Sequence, residues 1–115
     1  MPSGFRPDRY VKDRKAFGRK PNPGWKPAAP YERDQLALTQ IQHRLALQLR
    51  NTLGTAVAEI LAEQTAQTIY YVQRKLNGQI PLTAQDLIAW TMAAGVNLQA
   101  LLAEAYEDND SSSSE

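Results

Sequence analysis

Apolar residues recur at spacings of three and four in the middle of the chain. Leu38, Ile41, Leu45, Leu49 and Leu53 fall on one face of a helix over residues 31–53, and Leu36 and Leu47 widen that stripe. Gly54 follows and can end the helix in a left-handed cap. Thr55 is placed to cap a second helix with Val57, Ile60 and Leu61 facing inward, running out near residues 65–67. Thr68 is the next candidate cap, for a third helix over Ile69–Leu76 that turns Val72 and Leu76 inward. Asn77 and Gly78 both tolerate positive φ and stop it, and Pro81 confirms the break. Thr83 with Asp86 three residues on forms a capping-box variant for a fourth helix. That helix carries Leu87, Ile88, Trp90, Thr91 and Met92 and ends at Gly95. Asn97 caps a fifth, with Leu98, Leu101, Leu102 and Tyr106 on its apolar side. No segment alternates with a period of two, so the expected class is all-α.

The flanks read differently. Residues 1–30 hold Pro2, Pro7, Pro21, Pro23, Pro27 and Pro30 together with Gly4, Gly18 and Gly24. Proline removes amide donors and blocks helix interiors, so this arm is expected to be extended and disordered. Residues 107–115 are expected to be a disordered acidic tail, leaving 31–106 as the single helical domain. A length of 115 residues allows one domain, and 43% hydrophobic content suffices for its core.

The net charge of +1 conceals segregation. Residues 1–33 carry nine bases against three acids, residues 34–103 four of each, and residues 104–115 five acids and no base. Phe5, Tyr10, Phe17 and Trp25 are interleaved with the bases of the arm. Such asymmetry points to a polyanionic partner for the arm. There is no cysteine and therefore no thiolate metal site or disulfide framework. No apolar run approaches the ~20 residues that span a bilayer, and the basic N-terminus lacks an apolar core of the secretory kind, so a cytoplasmic location without membrane contact is expected. His43 is the sole histidine and reads as structural or surface. Glu59 and Glu63 share a helix face without a nucleophile or metal partner and read as solvated. No Ser-His-Asp set, phosphate loop or metal cluster is present, so no enzymatic activity, cofactor or metal is expected.

Several short stretches, taken in order, resemble the lambda-repressor/Cro type of helix-turn-helix domain. They are Leu61-Ala62-Glu63, Val72-Gln73-Arg74, Leu76-Asn77-Gly78, Pro81-Leu82-Thr83, the helix Ala84–Ala94, Gly95-Val96-Asn97 and residues 98–102. The likeness covers residues 45–106, and it rests on order and spacing. It implies a compact five-helix domain that binds double-stranded DNA with its third helix in the major groove. It also implies that Thr68, Ile69, Tyr70, Gln73 and Arg74 face the groove, that Asn77 bonds a phosphate, and that Val72 and Leu76 are core. Arginine can bond guanine and glutamine adenine through paired contacts, each worth ~1–3 kcal/mol of discrimination. The chain departs from the family in having Ala66 where the turn has Gly, Ile69 at the leading groove position, and Ala58 in place of a polar residue.

The function expected from these readings is a sequence-preferring DNA-binding regulator associated with the nucleoid. Residues 68–77, including Lys75, would enter the groove, and Arg14, Lys15, Arg19 and Lys20 of the arm would contact the DNA backbone. A homodimer is expected, because one recognition helix reads few base pairs. The rival expectation is a protein-interaction module that binds a partner through Ile69, Tyr70 and Tyr71, its arm held by RNA or an acidic partner.

Overall fold

The computed structural model describes residues 5–113, with side chains described as far as Glu107. It is all-helical: α1 Arg33–Leu53, α2 Val57–Thr65, α3 Ile69–Leu76, α4 Ala84–Ala94 and α5 Leu98–Ser113, with no strand among the described residues. The core is built on α1. Ala37, Ile41, Leu45 and Leu49 recur every fourth residue and are fully buried, so the seam runs through Ala37 while Leu38, one position on, is 38% exposed. Across this seam lie Val57, Leu61 and Ala62 of α2, Val72 and Leu76 of α3, Trp90 of α4, and Leu101 and Ala105 of α5. Helix α5 runs back along α1. The Tyr106 hydroxyl bonds Asp34 near the start of α1, Arg44 pairs with Glu104, and Gln48 donates to the Ala94 carbonyl (2.9 Å) beyond.

The helix ends follow local chemistry. The Thr68 hydroxyl accepts from Tyr71 N–H (3.2 Å), and Asn97 Oδ1 accepts from Ala100 N–H (3.2 Å). Thr83 and Asp86 form the expected reciprocal box, at 3.1 and 3.0 Å. Thr55 does not cap α2. One 3-10 turn, Gly54–Ala56, intervenes, and Ala56 stands at the cap with no side-chain bond. Gly54 has positive φ (67°), but ψ of −144° takes it outside the left-handed helical region.

The N-terminal segment corrects the expectation of a disordered arm. Residues 5–30 fold against α1 and the end of α3. Tyr10, Val11, Ala16 and Phe17 are buried, the last at 0% exposure. The chain reverses so that Val11 bridges Trp25, with Lys12 N–H donating to Gly24 O (2.9 Å) and Lys26 N–H to Tyr10 O (2.8 Å). The aromatics that alternate with bases in the sequence are what dock it. Phe17 and Trp25 meet the His43 ring edge-on, each at 5.5 Å, and Tyr10 donates to Glu32 Oε2 (2.9 Å). Burial of one Phe contributes ~1.5–3 kcal/mol toward the entropy cost of ordering the segment, a cost that its prolines reduce.

Two glycines make the close approach possible. A Cβ on Gly18 would lie 2.8 Å from both Ala46 Cβ and the Leu76 carbonyl, and one on Gly78 would lie 2.9 Å from the Phe17 ring. Asp8 N–H donates to Gly78 O (2.9 Å) and fastens the segment to the turn after α3.

Gln42 of α1 holds the loop that follows. Its buried amide donates to the carbonyls of Lys75 (2.7 Å) and Ile80 (2.9 Å), and its oxygen accepts from Leu82 N–H (3.1 Å). At the other end, α5 continues as helix past residue 106 to Ser113, where a disordered tail was expected. The side chains of Asp108 and Asp110 and all of Glu115, which carry most of that acidic charge, lie outside the described residues.

Candidate nucleic-acid interface

Helices α2 and α3 are joined by residues 66–68. Ala66 closes α2 in the left-handed conformation (φ 55°, ψ 44°), the one non-glycine with positive φ among the described residues. The turn therefore has the conformation that glycine would take without strain, held here by alanine at roughly 1 kcal/mol or more. Gln67 N–H donates back to Ala62 O (3.0 Å), and Thr68 starts α3.

Helix α3 divides into two faces. Val72, Lys75 and Leu76 point inward. Ile69 (45%), Tyr70 (67%), Tyr71 (43%) and Gln73 are exposed, and Arg74 is half-buried at their edge. The Arg74 guanidinium lies over the Tyr70 ring at 5.8 Å and donates through Nε to Gln79 Oε1 (3.2 Å). The face contains no acidic side chain, because the sequence of α3 has none. Thr68 is exposed, with its hydroxyl engaged as the cap.

Lys75 does not belong to this face. It is 1% exposed and pairs with Asp86 of α4, itself 0% exposed. Lys75 Nζ also donates to Gln67 Oε1 (2.9 Å) and lies 4.7 Å from the Tyr71 ring centroid. Burial alone would push the Asp86 carboxyl up. Hydrogen bonds from Lys75, Thr83 N–H and Gln67, with the charge of Lys75, outweigh that and hold it below the usual carboxylate range. This pair ties the α2–α3 turn and α3 to the N-terminus of α4, so Lys75 serves the fold and is removed from the groove-facing set. The helical spacing was legible, since Lys75 lies three residues after Val72, but a lysine normally reads as surface.

Asn77 ends α3 and is half-buried. Its Oδ1 accepts from Arg19 Nη1 (2.8 Å) and from Arg50 Nη2 (3.0 Å). Arg19, exposed on the N-terminal segment, and Arg50, half-buried on α1, thus converge on one neutral oxygen. Burial, and then the charge of Arg19, push the Arg50 guanidinium down to about 10. Arg50 was not among the residues singled out from the sequence. A signal existed: neither Arg50 nor Arg19 has an acid within four positions on either side. The other arm candidates, Arg14, Lys15 and Lys20, are exposed on the same folded segment.

His43 sits behind this cluster. Its Nδ1 accepts from Gly18 N–H (2.8 Å), which fixes the ring as the neutral form carrying its proton on Nε2, near Pro21 O (3.4 Å). Burial is the main cause of its lowered pKa, opposed by the Pro21 contact and supported by Arg44. Among the described residues no group of three or more acidic, histidine or cysteine side chains gathers to hold a metal. No single helix among them is long and apolar enough to cross a membrane. A broad groove of about 1200 Å³ lies between residues 21–30, α1 and α5, lined by Trp25, Leu36, Leu47 and Leu101 among others; no residue of α3 reaches it.

No protein-family model, curated protein or solved structure matches the chain.

Proposed function

We propose that the protein binds double-stranded DNA, with α3 entering the major groove, as a sequence-preferring regulator acting at the nucleoid. The observation that carries this is the acid-free outer face of α3 ending at a pair of arginines that no carboxylate neutralises among the described residues. Gln73 and Arg74 are the base-reading candidates on that face. Ile69 lies at its leading edge, where an apolar side chain suits a thymine methyl. The order of five helices and the left-handed turn at Ala66 support a domain of the lambda-repressor/Cro kind. Two copies would present two recognition helices to half-sites about one helical turn apart.

Selection of bound duplexes from a random pool, followed by anisotropy titration at two salt concentrations, tests the reading. An enriched motif is expected, with Arg74→Ala relaxing the preference at one position of it. Absence of duplex binding at low salt removes the proposal.

The exposure of Ile69, Tyr70 and Tyr71 together favours a second reading, a protein-interaction face, since tyrosine and arginine are the residue types that anchor such contacts. Loss of a captured protein partner in Tyr70→Ala, with duplex binding absent in the wild type, would select it.

A further inference from the structure

We propose that Arg19, Arg50 and Asn77 form an oxyanion site in which one phosphate group bridges the two guanidiniums, and that a DNA backbone phosphodiester beside the groove supplies it. The source rests on the DNA-binding reading above; the site itself does not.

Two like charges are brought together, and among the described residues no carboxylate pairs with either. Each guanidinium is a planar fork of N–H donors suited to paired oxygens. The acceptor that both reach is the single oxygen of Asn77, at 2.8 and 3.0 Å. Arg50 Nε is buried with no hydrogen-bond partner. Lys75, the one buried lysine or arginine among the described residues, is by contrast compensated by Asp86. Two guanidiniums that share one neutral acceptor present the fork geometry suited to a doubly oxygenated anion. Removing Arg50 from water and setting it beside Arg19 both disfavour its charge, and a bound phosphate reverses the sign of the neighbouring field.

The positions are fixed rather than fortuitous. Arg19 follows Gly18, whose amide is bonded to His43 and whose backbone is seated against Ala46 and Leu76. Arg50 lies on the same side of α1 as Ala46, one turn on. Asn77 marks the end of the recognition-helix candidate. The site is thus assembled from the N-terminal segment, α1 and α3 together, and its occupation stabilises the docked segment by mass action.

The test uses the full chain in two arms. In the first, inorganic phosphate is titrated at constant ionic strength while the Nε–Hε resonances of Arg19 and Arg50 are followed by NMR. Both are expected to shift along one saturable curve, and the melting temperature is expected to rise with phosphate; Arg19→Gln abolishes both effects. In the second, duplex affinity is measured against salt for the wild type, Arg19→Gln and Arg50→Gln. Each variant is expected to weaken binding several-fold and to flatten the slope of log affinity on log salt by about 0.9, the share of one phosphate. Arg19 is exposed, so its variant keeps the test valid if Arg50→Gln fails to fold. Saturable phosphate shifts in a protein that binds no duplex would uphold the site and overturn its proposed source. Unshifted arginines, with wild-type salt slopes in both variants of a protein that does bind duplex, would overturn the site and leave the DNA reading standing.

Discussion

Helix α3 is bracketed by two cationic centres that solve the same electrostatic problem in opposite ways. On its inner face Lys75 is buried and answered by a carboxylate, with Gln67 completing the shell. At its C-terminal end Arg19 and Arg50 meet over the neutral Asn77. A compensated cation is consumed by the fold, whereas an uncompensated pair keeps its field for something else. The residue type gives no hint of the difference. Lys75 is next to Arg74 in the chain, yet one is interior and the other borders the exposed face.

The most disruptive way to break the comparison is to remove the counter-charge from the first centre. Asp86→Ala should cost about 3–5 kcal/mol, because it strands a buried ammonium and deletes the α4 cap. Urea unfolding measures it, and a loss below about 1 kcal/mol would mean that Lys75 escapes to water. Phe17→Ala should cost about 3 kcal/mol, since it empties the seat of the N-terminal segment. It should also scramble the Arg19–Arg50 centre while leaving Lys75–Asp86 intact, which the Arg Nε–Hε and Lys75 Nζ resonances would separate.

Removing a charge from the second centre should behave in the opposite sense. Arg50→Met should change stability by less than about 1 kcal/mol in either direction, because relief from burial and from the repulsion of Arg19 offsets the lost bond to Asn77. A smaller increment sharpens the geometry. Ala66→Gly should raise stability by roughly 1 kcal/mol by relieving the left-handed turn, read as a shift in the urea midpoint at unchanged slope.

His43 and Asp86 predict distinct responses to acid. His43 is held neutral, with its folded pKa below its ordinary value near 6.5. Its contribution is therefore full above about pH 6.5 and is lost as the pH falls below it, because the unfolded chain takes up the proton first. Asp86 is depressed as a carboxylate, so its contribution is full above about pH 4 and disappears as the pH falls through its lower folded value. Denaturation midpoints between pH 8 and pH 3 should show two descents. His43→Gln should remove the upper one alone.

The helices were legible because their signals are local. Thr68, Thr83 and Asn97 cap where their spacing to the next apolar run says they should, and Gly95 ends α4 in the left-handed conformation (φ 70°). The N-terminal segment was misread because proline and charge content report on what a chain cannot do alone. Its order comes from Phe17 and Trp25 closing on His43, a contact some twenty residues distant in sequence for either ring. On the candidate interface, the exposed positions of α3 were legible from helical period. The fate of Lys75 and the convergence of Arg19 with Arg50 were not, because each depends on a partner from another element.

Gln42 carries a consequence of its own. One amide joins α1 to the loop leaving α3 by donating twice and accepting once. Glutamate has nearly the same shape, so packing would not notice the exchange of nitrogen for oxygen. The carbonyls of Lys75 and Ile80 would, since each would then face another acceptor. A Gln42→Glu exchange would therefore loosen the loop beside α3 through repulsion between acceptors rather than through any change in packing.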